Sequence, residues 1–152
     1  MIKRIILFII LNFGALILSG LFTPAGITSD WYINLHKAPW TPPGWLFGFA
    51  WTFIMICLTA YMAIALKEQN QLLTKLYGIQ LVLNVIWTPV FFYFRQAELG
   101  LIVIILLTAV VTAIIVLFRT KKNTNNVLLA PYFIWLCIAT SLNLYIVLNN
   151  SL

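Results

Sequence analysis

The sequence predicts an all-α membrane protein: a five-transmembrane-helix bundle with a long aromatic first loop. Composition makes the case first. Of 152 residues, 63% are hydrophobic and only 8% charged, and the mean hydropathy is +1.04, whereas soluble domains carry roughly 25% charged residues. Segment length is the second observation. Five apolar runs, about 5–22, 45–66, 77–94, 99–118 and 127–148, approach or reach the roughly 20 residues that a helix needs to cross hydrocarbon. The only long connection, 23–44, is the third, because it is aromatic rather than polar: four of the six tryptophans lie between Trp31 and Trp51. The chain therefore reads as one transmembrane domain over 1–152.

Lysine and arginine orient the bundle. With five spans, the N-terminus shares a side with the second and fourth connections, where Lys3, Arg4, Lys67, Lys75, Arg119, Lys121 and Lys122 gather; Lys37 and Arg95 fall on the other side. The positive-inside rule puts the N-terminus in the cytoplasm and the first loop and C-terminus outside. The net charge of +6 is thus topological. Scattered over short loops with no basic face, it does not indicate a nucleic-acid partner.

The first segment has two readings. Lys3 and Arg4, an apolar run and Thr23-Pro24-Ala25 resemble a cleavable signal peptide, but the run is long for one and holds Asn12 and Gly14, which favours a retained helix. Its small residues Gly14, Ala15, Ser19 and Gly20 suit close helix packing. The loop that follows is too rich in Trp31, Tyr32, Ile33, Leu35 and Trp40 to remain in water, so a structured lid is expected, with a short helix over 29–36 capped by Ser29 or Asp30. Pro39, Pro42 and Pro43 stiffen the chain beyond it, and Pro42 and Pro43 are allowed in the first turn of the second helix. For Trp40 and Trp45, a lid and an interfacial aromatic belt are equal readings.

The second helix sets Phe47, Trp51, Ile54 and Leu58 on one face, and the third sets Gln80, Asn84, Trp87 and Phe91 on one face. Amides in hydrocarbon need partners, so Gln80 and Asn84 serve either as polar glue between helices or as ligand-facing groups in a cavity. Pro89 is expected to bend the third helix, with Thr88 satisfying the freed carbonyl. The fourth helix, without Trp, Tyr, amide or charge, reads as lipid-facing scaffold. The fifth sets Tyr132, Trp135, Ala139 and Asn143 on one face. Aromatic faces from helices two, three and five beneath an aromatic loop suit a flat apolar ligand, with Ala139 leaving it room.

Three strings carry a family resemblance: WYINLHKAPWTPPGW (31–45) followed by Trp51, QLVLNVIWTPVFF (80–92), and PYFIWLCIATSLN (131–143). In order and spacing they resemble the signature segments of the translocator protein or tryptophan-rich sensory protein family, TspO, also known as peripheral benzodiazepine receptors. The resemblance implies a five-helix bundle, often dimeric, whose loop-roofed pocket binds porphyrins such as protoporphyrin IX or haem-type tetrapyrroles and isoquinoline or benzodiazepine-type ligands, with no cofactor required. It also implies a bacterial cell membrane as the setting. By position, Trp51 and Asn84 match residues that hydrogen-bond the ligand. Trp31 and Trp135 match tryptophans associated with light-dependent protoporphyrin IX breakdown. Ala139 matches the small position of the fifth helix, and Pro42 and Pro43 the double-proline entry to the second. The face residues Tyr32, Trp87, Phe91, Gln80 and Asn143 complete the expected ligand-binding set. The cholesterol-associated motif of mammalian members is missing, because Tyr145 is followed by Ile, Val, Leu, Asn and Asn.

Conventional catalysis finds no support. His36 is the only histidine, and Asp30, Glu68 and Glu98 sit in three different connections, so neither an acid/base pair nor a metal cluster can be assembled. His36 reads as a solvated loop residue or as a haem-iron ligand. Cys57 and Cys137 read as buried small apolar residues. The expected function is a membrane receptor or sensor for tetrapyrroles, with light-dependent degradation as an extension. A lipophile transporter is an alternative, and so is a structural assembly protein. Gly44 with Gly48 and Ala109 with Ala113 offer small-residue surfaces for a homodimer.

Overall fold

The computed structural model describes residues 1–66, 70–118 and 124–150. Of the residues that orient the chain, Lys67, Arg119, Lys121 and Lys122 lie outside this set, as does Glu68. Among the described residues the elements are α1 (Ile2–Gly20), α2 (Thr23–Ile27), α3 (Asp30–Asn34), α4 (Gly44–Ala65), α5 (Gln71–Thr88), a π-helical turn (Pro89–Tyr93), α6 (Ala97–Leu117), a 3-10 turn (Thr124–Leu129) and α7 (Ala130–Asn149). Five helices are long and apolar enough to cross a membrane, and the protein is an integral membrane bundle. Around the bundle α1 packs between α4 and α5, and α6 between α5 and α7; a smaller contact between α4 and α7 closes the ring.

Buried polar groups fix this order, since in hydrocarbon each must find a partner within the protein. Asn12 on α1 is fully buried. Its amide nitrogen donates to Thr59 Oγ1 on α4 at 2.9 Å, and its oxygen accepts from the Tyr77 hydroxyl on α5 at 2.7 Å. One amide therefore ties three helices together and makes the first segment a bundle member. Near the other end, Ser19 bonds Thr88.

The prolines and the polar termini account for the differences from expectation. Pro42 and Pro43 do not enter the second helix: Pro43 is extended (ψ 148°) and α4 begins at Gly44. The third helix starts at Gln71 rather than 77, because the Asn70 side chain caps it by accepting from the Leu73 amide at 3.1 Å; the polar turn so nucleated adds no hydropathy. Pro89 has no amide hydrogen, and here the helix widens: Phe94 N donates to Pro89 O at 2.9 Å, five residues back. Thr88 does not serve the freed carbonyl, because its hydroxyl is turned to Ser19. Arg95, at φ 57°, ends the turn in the left-handed region, which non-glycine residues seldom occupy.

The fourth spanning helix, α6, is more than lipid-facing scaffold. Gly100, Ile104, Leu107, Val111 and Ile114 form a buried face at three- and four-residue steps, while Ile102, Ile105, Leu106, Val116 and Leu117 face outward. Cys57 is buried as expected; Cys137 is exposed on the outer surface of α7.

Candidate functional site

Two adjoining aromatic clusters occupy the interior and the lid end of the bundle. In the interior, the Tyr132 hydroxyl on α7 stands between two amides of α5. It accepts from Asn84 Nδ2 at 2.8 Å and donates to Gln80 Oε1 at 2.9 Å. From α4, Trp51 meets the Tyr132 ring edge-on at 6.1 Å between centroids, and Phe47 meets Trp135 edge-on at 5.2 Å. Ala139, one turn beyond Trp135, is buried in the same core. Asn84 and Gln80 are therefore interhelical bonds in this state, the glue reading, yet they stand in the middle of the aromatic face.

Three donors in this region are left over. Gln80 Nε2, Trp87 Nε1 and Trp135 Nε1 are buried without a hydrogen-bond partner among the described residues. They come from the inward faces of α5 and α7. Each such group costs about 1–3 kcal/mol when buried unpaired, and most proteins leave very few. Each of the three is a donor that an acceptor such as a carbonyl or carboxylate oxygen would satisfy.

The second cluster lies under the lid. Ser29 caps α3, accepting from the Tyr32 amide at 3.3 Å, as its position before Asp30 suggests. That short helix sets Trp31 edge-on against Phe91 at 5.6 Å and Tyr32 against Phe92 at 5.3 Å. Phe91 in turn stacks on Trp87, with planes 14° apart and centroids at 5.3 Å. Trp87 thus borders both clusters. Trp31 belongs to the lid cluster and Trp135 to the bundle interior, so the two tryptophans singled out for photochemistry sit in different clusters. Burial raises the Tyr32 phenol above its ordinary pKa, and Lys37 Nζ lies 4.4 Å from its ring centroid.

A clasp at the end of α7 holds the lid shut. Asn150 Oδ1 accepts from the His36 amide at 2.8 Å and Asn150 Nδ2 donates to the His36 carbonyl at 3.2 Å. Trp40 Nε1 donates to Ser141 Oγ at 3.2 Å, and its ring meets Tyr145 at 5.3 Å. Trp40 therefore belongs to the lid, while Trp45, 71% exposed, points outward as a belt residue would. His36 is exposed on the outer rim beside Asp30, Asn34 and Asn149, outside both aromatic clusters.

The remaining expected residues divide. Asn143 is buried, but its amide is engaged with α6, donating to Ala97 O and accepting from Leu101 N, both at 3.0 Å. It clamps two helices. Gly100 makes room for it, since a Cβ there would stand 3.2 Å from the Asn143 side-chain amide and 3.1 Å from Phe91 Cδ2. Pro42 lies in the extended segment before α4 and belongs to neither cluster. Tyr132 as hub, and the Asn150 clasp, are what sequence reasoning missed. The first had a signal in its spacing three residues before Trp135; the second, a contact between distant loop and terminal residues, had none. Among the described residues no three His, Cys, Asp or Glu side chains group as a metal site would require.

The fold and site define a class: a small integral membrane protein of five helices, with an aromatic interior that carries unpaired donors beneath a clasped loop. More specifically, the chain belongs to the TspO/MBR family, whose model matches residues 6–148. It is 37% identical to a tryptophan-rich sensory protein of Cereibacter sphaeroides over 115 residues, 75% of this chain and 73% of that one. It is 30% identical to tryptophan-rich protein TspO of Bacillus cereus over 145 residues, 93% of each chain. Over 119 residues it is 31% identical to the human translocator protein, covering 74% of this chain and 70% of that one. These matches establish a membrane protein of the sensor and translocator family.

Proposed function

We propose that this chain is a membrane receptor that binds porphyrins of the protoporphyrin IX or haem type, and flat carbonyl-bearing ligands of the isoquinoline type, between α4, α5 and α7. The observation that carries this reading is the set of unpaired buried donors, Gln80 Nε2, Trp87 Nε1 and Trp135 Nε1, among stacked aromatic rings. A tetrapyrrole offers a π-face for Trp51, Trp87 and Phe91 and carboxylate oxygens for the donors; Asn84 becomes available to it once Tyr132 moves aside. Ala139 supplies the room, and Trp31 and Tyr32 form the roof. No cofactor is needed for this. Under light, the excited pigment and oxygen supply the reactivity, and Trp31 and Trp135 are the electron-rich side chains placed at the two clusters.

In this reading the N-terminus is cytoplasmic, the clasped lid faces the exterior and the setting is a bacterial cell membrane. A homodimer forms through outward small-residue surfaces: at Gly44 and Gly48, open space stands where a side chain would be. The test is a titration of the purified full chain with protoporphyrin IX in the dark, read by tryptophan quenching and the pigment's main absorption band. Saturable binding that weakens about ten-fold or more in Trp51→Phe and Asn84→Ala supports the site. Unsaturable uptake that neither substitution changes overturns it.

A further inference from the structure

At the bundle end opposite the lid, a groove of about 680 Å³ lies where the start of α1 meets the end of α4 and the start of α5. It is lined by Arg4, Gln71, Thr74 and Lys75 above a floor of Leu7, Phe8 and Leu66. Two cations with no partner among the described residues, over an apolar floor at the end of a membrane helix bundle, are the chemistry of a lipid headgroup site.

We propose that this groove binds the phosphate of an anionic diacyl phospholipid, with Arg4 and Lys75 as its two cationic ligands. Neither side chain makes a hydrogen bond or ion pair with a described residue. The described carboxylates cannot neutralise them, because Asp30 opens α3 in the lid and Glu98 lies in the first turn of α6, both at the other end of the bundle. Arg4 is half-buried against the groove while Lys75 is exposed at its mouth, so the two cations flank a headgroup from within and from the rim. α5 begins at this groove, with Gln71 its first residue, and the positive end of its dipole favours an anion there. Leu7, half exposed, and Leu66 continue the floor down the helix sides, where an acyl chain lies. That floor distinguishes a lipid from a free phosphate. Bound there, one headgroup joins α1 to α5 near the start of both helices.

The experiment measures binding of phosphatidylglycerol, phosphatidylcholine and glycerol 3-phosphate to the full chain in neutral detergent, by native mass spectrometry. Phosphatidylglycerol is expected to bind in preference to phosphatidylcholine, weakening about five-fold in Arg4→Gln or Lys75→Gln and about twenty-five-fold in the double variant. Arg4→Lys retains binding, and so does Lys3→Gln, which removes an adjacent cation that does not line the groove. Helix content by circular dichroism confirms that each variant is folded. Equal binding of the two lipids, an unchanged double variant, or an equal loss in Lys3→Gln would overturn the site. Competition by glycerol 3-phosphate at concentrations matching the lipid would also overturn it, by showing a soluble phosphate site.

Discussion

In the proposed complex, Tyr132 holds the position that a ligand acceptor would take. Its hydroxyl satisfies Asn84 Nδ2 and Gln80 Oε1, so an incoming carbonyl must compete with it. Tyr132→Phe removes the competitor while keeping the ring against Trp51. It is expected to raise pigment affinity about five-fold, the worth of one hydrogen bond at about 1 kcal/mol, and to lower the thermal stability of the ligand-free protein. A loss of affinity would show instead that the hydroxyl contacts the ligand. Asn143 is the opposite case. Its amide is committed to Ala97 and Leu101, so Asn143→Leu is expected to cost about 1–3 kcal/mol of stability, seen as a lower unfolding temperature, with pigment affinity kept. At this scale the sequence was partly legible. Spacings of three and four residues placed Gln80, Asn84, Trp87 and Phe91 on one face of the third spanning helix, which is α5 and the π-helical turn after it. Spacing says nothing about whether a buried amide will meet a side-chain hydroxyl, as Asn84 does on α7, or the backbone of a neighbouring helix, as Asn143 does on α6, so the two looked alike.

The lid is an element with its own stability. α2 approaches the π-helical turn so closely that a Cβ on Gly26 would stand 2.3 Å from Phe92 Cβ. Gly26→Ala must displace one of them, at about 1–3 kcal/mol; faster hydrogen exchange across α2 and α3 is the expected reading. Tyr32 gives the lid a pH dependence. Burial raises its folded pKa above the ordinary 10.0. The stabilisation is therefore complete below pH 10 and is lost as pH rises through the folded value. Exchange in α3 should accelerate above pH 10 in the wild type, and Tyr32→Phe should abolish that phenolate-dependent step. The Ser29 cap and the order of the loop were legible, because an aromatic segment must be buried somewhere. Its docking site was not, since the π-helical turn after Pro89 that aims Phe91 and Phe92 arises from a missing amide and not from any hydrophobic pattern. The early start of α5 was hidden for a related reason: Asn70 caps a polar turn that hydropathy does not register.

Across the whole molecule, hydropathy alone was enough for five spans, because almost every residue is committed to crossing. The order of helices around the ring depends instead on Asn12, Thr59 and Tyr77, whose pairing no single segment reveals. The fifth span closes the ring on α4 through both α7 and the 3-10 turn before it, and edge contacts of Trp51 with Tyr132 and Phe47 with Trp135 span the join. The interior donors carry the proposed binding, and the indole hydrogens report on them directly. In a spectrum of indole-¹⁵N-labelled protein titrated with protoporphyrin IX in the dark, the Trp87 and Trp135 signals should move downfield and saturate together, while exposed Trp45 stays in place. Unmoved Trp87 and Trp135 signals at saturating pigment, or a shift confined to Trp45, would contradict the interior site.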